Sequence, residues 1–272
     1  MADLTGMEVY NRHADAKDDR ASLLVLASKL TYPAGVAELK KALRLYPDEV
    51  LAAQVDYPTI YMKKWDAESQ QRPVVGIAAN DCHHNQVFIV KKVDDETVLI
   101  GTVVDKDDRM RKVTTKIAPG IAELVKEHSP GDIVVKLDFD PYFRSFRNVS
   151  THVLAPELTE PAIRTALRKG HAYISHDWMC DPQGFLSYVV RGGKRVGIMG
   201  DQLEFVRGDT IVVQSPLSCR FRLYQNGRMI ETAVGSEHRY AVAQAGVYRF
   251  EAWLTLDAEE RPWIYSNPLY IR

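Results

Sequence analysis

Val74-Val75-Gly76-Ile77-Ala78-Ala79-Asn80-Asp81-Cys82-His83-His84-Asn85 reads as an apolar strand that ends in a polar lip. An unbroken apolar run of this length suits a strand covered on both faces, the arrangement of a parallel α/β sheet. In such sheets functional groups collect beyond the carboxyl ends of the strands. Asp81 and His83 lie two apart, so in extended chain they project to the same side and are expected to reach one ion just past the strand. A second cluster of the same kind lies upstream, in Leu4-Thr5-Gly6-Met7-Glu8-Val9-Tyr10-Asn11-Arg12-His13. There another short apolar strand is accompanied by an acid, Glu8, and an imidazole, His13.

The rest of the chain bounds what these clusters belong to. Its 272 residues suffice for one large or two modest domains with real cores, and a make-up of 46% hydrophobic and 26% charged residues is that of a globular protein. Lysine plus arginine (35) nearly cancel aspartate plus glutamate (36), so no global field draws the chain to nucleic acid or anionic lipid. No apolar stretch approaches the roughly 20 residues of a membrane span. Cys82, Cys180 and Cys219 are widely spaced and form neither a disulfide framework nor a Cys-x-x-Cys zinc pattern. Cys82 reads as a small packing residue between two ligands, because no base separate from those ligands is evident next to it. No secretory leader is visible at the N-terminus.

Up to about residue 80 the periodicity predicts α/β structure: a strand at 4–10, helices near 18–30, 35–45 and 59–69, and the strand at 74–79. From residue 86 the period becomes two, and runs at 87–90 and 97–104 flank Asp94-Asp95-Glu96 as a hairpin. A helix near 120–128, strands at 133–137 and 148–154, and a helix opened by Thr159-Glu160-Pro161 follow. After Gly170 short strands recur between turn residues. The strongest turn is Asn226-Gly227, where a type I′ hairpin needs positive φ twice. The expected fold is therefore α/β followed by all-β, with a β-sandwich at the C-terminus.

Glu8, His13, Asp81 and His83 mix carboxylate and imidazole, a donor set that suits zinc, manganese or iron. A bound cation lowers the pKa of its water and polarises a phosphoryl oxygen, which makes hydrolysis the natural reaction class. Taken singly, Glu8 also reads as a solvated carboxylate and each histidine as a hydrogen-bonded structural residue.

Gly-Met-Glu-Val-Tyr-Asn-Arg-His at 6–13 and Asn-Asp-Cys-His-His-Asn at 80–85 resemble the later metal-ligand motifs of the polymerase and histidinol phosphatase (PHP) family of phosphoesterases. The tail, Gly246-Val-Tyr-Arg-Phe-Glu-Ala-Trp with Arg261-Pro-Trp-Ile-Tyr-Ser-Asn-Pro, resembles the β-rich extension of one bacterial branch. The resemblance implies a distorted β/α barrel holding two or three metal ions, with a metal-bound hydroxide attacking a phosphate ester. On that reading residues 1–155 are the C-terminal portion of the barrel, with a hairpin insertion at about 86–138, and 156–272 form the β-sandwich-like domain. Glu8 would be the acidic, often bridging ligand, Asp81 and His83 the terminal catalytic Asp-x-His pair, and His13 a further ligand. His84 and Asn85 would contact substrate or support the ligands. Arg12 would meet a phosphate, or else form a surface ion pair.

One departure accompanies the match. The family supplies a His-x-His strand and further ligands upstream of Glu8, whereas the histidines here are 13, 83, 84, 128, 152, 171, 176 and 238, with no His-x-His among them. The expectation is a truncated gene product or a start codon placed too late, with Met1 inside the domain. A missing leader then says nothing about export. Weak metal binding and little turnover are expected of this chain. The partner implied is a small phosphate ester, and the compartment and oligomeric state stay open. The rival reading is a non-catalytic scaffold whose sandwich recognises a saccharide or a protein. His176-Asp177 reads as structural, His152 as a hydrogen bond at the junction of the two parts, and Asp105, Asp107 and Asp108 as a solvated loop.

Overall fold

The computed structural model describes residues 5–18, 25, 28–29, 32–52, 55–85, 87–117, 119–139 and 141–272. It is a mixed α/β fold with one large, mostly antiparallel sheet. Two compact units make up the chain, each assembled from separated stretches. One comprises residues 1–11, 57–80 and 147–272; the other comprises 12–56 and 81–146.

In the first unit β1 (Gly6–Asn11) and β2 (Val75–Ala79) pair in parallel, with Asn11 beside Ala79 where both strands end. Helix α4 (Thr59–Gln71) packs against β1. The earlier helices, α1 (Arg12–Asp18), α2 (Pro33–Leu45) and α3 (Pro47–Ala52), belong to the second unit. Of the helix expected near 18–30, most residues lie outside those described. Gly76 is required by close packing, since a Cβ there would lie 2.5 Å from the Trp65 ring. Trp65 is fully buried, and its Nε1–H donates to the Val74 carbonyl at 2.8 Å.

Ten strands form the large sheet. Ser150–Val153 (β7) pairs with Ala172–Ser175 (β8), so the expected boundary at residue 155 falls inside this sheet. The remaining members lie between Leu186 and Ile271. Where the spacing predicts separate strands at 210–214 and 219–225, one strand runs from Thr210 to Gln225. Its pairing breaks between Gln214 and Cys219, around Pro216, which has no N–H to donate. Its first part pairs with Leu186–Arg191 and its last with Gly246–Leu256. One core, including Val189, Ile211, Phe221, Phe250 and Trp263, draws on both parts. The Asn226-Gly227 hairpin forms as its residue types dictate, with φ of 51° and 75°.

Two devices tie β2 and α4 to this sheet. Asn267 Nδ2 donates to the carbonyls of Gly76 (3.1 Å) and Ala172 (2.8 Å), and its Oδ1 accepts from the Gly76 N–H at 2.7 Å. The Tyr270 hydroxyl accepts from the Val74 N–H at 2.9 Å. Buried Arg249 forms a bidentate pair with Asp66 (2.6 and 2.8 Å) and donates to Glu251 at 2.6 Å. Glu251 also accepts from the Tyr57 hydroxyl (2.6 Å) and the Trp253 Nε1–H (2.9 Å), so each buried charge is paired and hydrogen-bonded.

The second unit holds a four-stranded antiparallel sheet. The expected hairpin is its centre, β3 (Val87–Lys92) with β4 (Thr97–Thr102), flanked by Arg111–Thr114 and Ile133–Asp138. Helix α2 packs on α5 (Pro119–Lys126). Val36, Leu39, Val90, Val98, Ile121, Val125 and Val135 belong to one core. Among the described residues no sheet closes into a barrel.

Candidate functional site

Glu8 lies on β1, exposed, and its Oε1 accepts from Asn11 Nδ2 at 2.9 Å. It belongs to the first unit, with the strands that end at Asn11 and Ala79. Arg12, His13 and residues 81–85 belong to the second.

The lip does not continue the strand in extended form, as the sequence reading expects. β2 stops at Ala79, and Asp81 and His84 both adopt φ of 50°, in the left-handed region. Asp and His enter that region more readily than most residues, yet two such positions within four residues mark a tight, specified loop. The turn changes the chemistry. Rather than projecting in parallel, the pair closes on itself, with His83 Nε2 2.8 Å from Asp81 Oδ1. The two side chains remain 52% and 42% exposed. The His13 ring, buried, meets the His83 ring edge-on with centroids 4.8 Å apart. Two imidazoles and a carboxylate, drawn from the start and the middle of the sequence, are thus neighbours within one unit.

His84 is oriented by different partners. Its Nε2 is 3.0 Å from Asp138 Oδ2, and its ring lies 5.3 Å from that of Tyr142. Arg12 is buried, Asn85 is half-buried, and Cys82 is a half-buried free thiol. The acidic loop further on is engaged locally: Asp105 accepts from the Thr102 N–H and hydroxyl, and Asp107 pairs with Lys91 at 2.7 Å.

The donor types at the lip are those a borderline divalent ion accepts. Among the described residues, however, no three His, Cys, Asp or Glu side chains converge as a metal-binding group. An ion held by Asp81 and His83 therefore requires their mutual contact to open.

A second acid–imidazole arrangement in the first unit escapes sequence reasoning. His152 Nε2 contacts both carboxylate oxygens of Asp177, at 2.9 and 3.1 Å. The His152 ring stacks on Tyr173 at 4.9 Å, the planes 8° apart. Burial by itself would raise the Asp177 carboxyl, but hydrogen bonds from His152 and Ser150 outweigh it and hold the group below the usual carboxylate range. The neighbouring His176 is a fully buried ring set edge-on against Tyr10 (4.7 Å) and Tyr265 (5.9 Å). The sequence offers His152 as a hydrogen-bonding residue but not its partner, which lies 25 residues away on the far side of a helix and a strand.

Comparison with protein-family models, with curated proteins and with solved structures returned no match.

Proposed function

We propose that this chain carries part of the site of a metal-dependent phosphoesterase of the PHP type, its β1–helix–β2 portion corresponding to a segment of that family's β/α barrel and its large sheet to the sandwich-like extension. The observation that carries the reading is the proximity of His13 to His83, with Asp81 hydrogen-bonded to the latter. The parallel pairing of β1 and β2 supports it, because the lip then follows the carboxyl end of a parallel strand. Asp81, His83 and His13, all of the second unit, would hold the ion. Zinc, manganese or iron bound there supplies Lewis acidity toward a phosphoryl oxygen and a more acidic water. The chain's own contribution is positional: the left-handed turns at Asp81 and His84 aim the lip, and Asp138 fixes the His84 ring beside it for substrate contact.

The test is calorimetric titration of the full chain with zinc and manganese, alongside p-nitrophenyl phosphate turnover. The expected result is weak but saturable binding that falls at least about tenfold in Asp81→Ala and His13→Ala, as loss of one ligand from a small set requires. Turnover should be slight in all three proteins. Undiminished binding in both variants, or none in the parent, would overturn the assignment.

A further inference from the structure

Beside the His152–Asp177 pair the first unit opens a cavity of about 540 Å3, within the range of small-molecule sites. Its lining includes His152, Leu154, Tyr173, Asp181, Gln183 and Phe185. Besides Tyr173, its titratable lining groups are Asp181 and His152, and Gln183 adds a neutral carboxamide. Asp177 engages Nε2 of His152, which orients the ring, and in its neutral form the imidazole with its proton on Nε2 presents Nδ1 as a lone-pair acceptor. Asp181 is exposed, and one of its carboxylate oxygens accepts the Gln183 N–H at 2.9 Å. The Tyr173 hydroxyl is spent on the Pro182 carbonyl at 3.1 Å and offers no donor. No lysine or arginine lines the cavity.

The apolar part of the wall restricts the ligand further. Tyr173 and Phe185 are 3% and 1% exposed, with their rings 5.1 Å apart, so no open aromatic face is offered to a sugar ring. Leu154, Val153 and Leu186 supply aliphatic surface.

We infer that this cavity binds a small organic ammonium compound, its N–H groups directed to Asp181 and His152 and its apolar body set against Leu154 and Leu186. A carboxylate and an oriented imidazole in a site without lysine or arginine complement a donor-rich positive group and disfavour an anion. The site is independent of the Asp81 lip, and nothing in its chemistry requires a metal.

The experiment is an NMR titration of the full chain with benzylamine at neutral pH, read at the His152 ring and at the Gln183 and Gly184 amides. Benzyl alcohol, glucose and inorganic phosphate serve as comparison probes. Saturable shifts with benzylamine, weakened roughly tenfold or more in Asp181→Asn by loss of a charge-assisted hydrogen bond, support the site. Asp181 is on the surface, so this variant is expected to fold, and a matching amide spectrum verifies it. His152→Gln should weaken binding as well, with the Asp177 contact replaced by an amide. Equal affinity for benzyl alcohol, preference for glucose or phosphate, or no saturable shift with benzylamine would each overturn the proposal.

Discussion

Asp81–His83 and His152–Asp177 are the same chemical pair at nearly the same separation, 2.8 and 2.9 Å, in unlike surroundings. The first sits on a strained loop with both side chains about half exposed. The second is 30% and 21% exposed, doubly contacted, and stacked on a core tyrosine. Three more pairs, His84–Asp138, His171–Asp201 and His238–Glu231, show that such a contact is common in this chain. The contact itself is therefore not the mark of a site. What differs is what each pair can exchange: an exposed pair releases its partners to an ion at little cost, whereas a half-buried pair holds the imidazole in one tautomer and one orientation.

That contrast breaks down first if the large sheet is not as tightly locked as its charges imply. Arg249→Ala strands the buried carboxylate of Glu251 and removes the partner of Asp66. A loss of about 3–5 kcal/mol is expected in denaturant unfolding, and a loss under 1 kcal/mol would show that the network is dispensable. Asn267→Ala removes the side-chain partner of the Gly76 N–H and carbonyl, while the Ala172 carbonyl keeps the backbone N–H of residue 267, for roughly 2 kcal/mol by the same assay. At the next level, His152→Ala should destabilise by about 1–2 kcal/mol, because it uncovers a half-buried carboxylate. Asp81→Ala should change stability by no more than about 0.5 kcal/mol while abolishing metal response. If the two variants destabilised equally, the distinction between the pairs would fail.

Acid titration sharpens the contrast. The Asp177 carboxyl is held below its unfolded value near 3.9, so its contribution to stability is present above about pH 4 and is lost as pH falls through the lower folded value. Asp177→Asn should therefore flatten the acid limb of the stability–pH curve. An unchanged limb would mean that the pair carries no net linkage.

Local rules made part of this legible. Asn226-Gly227 announces its hairpin because both residues accept positive φ, and the apolar run Val74–Ala79 announces a strand because nothing in it interrupts burial. The lip was legible in composition but not in geometry. Alternation assumes extended backbone, and the left-handed φ at Asp81 turned two parallel projections into one closed contact. Nothing local betrays Arg249, whose partner Asp66 is 183 residues distant, or Asn267, which appears in the sequence as one polar residue in an apolar tail yet fastens β2. The runs 210–214 and 219–225 read as separate strands, whereas the backbone continues through Pro216 as one strand whose pairing lapses there. The sequence presents His152 as a junction hydrogen bond, and the cavity beside it arises only when β7 and the turn at 181–186 come together.

The most direct measurement is manganese-induced broadening of the histidine ring signals in the full chain. The account predicts that His13 and His83 broaden first, at manganese concentrations that leave His152 and His171 sharp, and that Asp81→Ala removes the effect. Uniform broadening of all histidines, or loss of the His152 signal ahead of His83, would contradict a metal site at the lip.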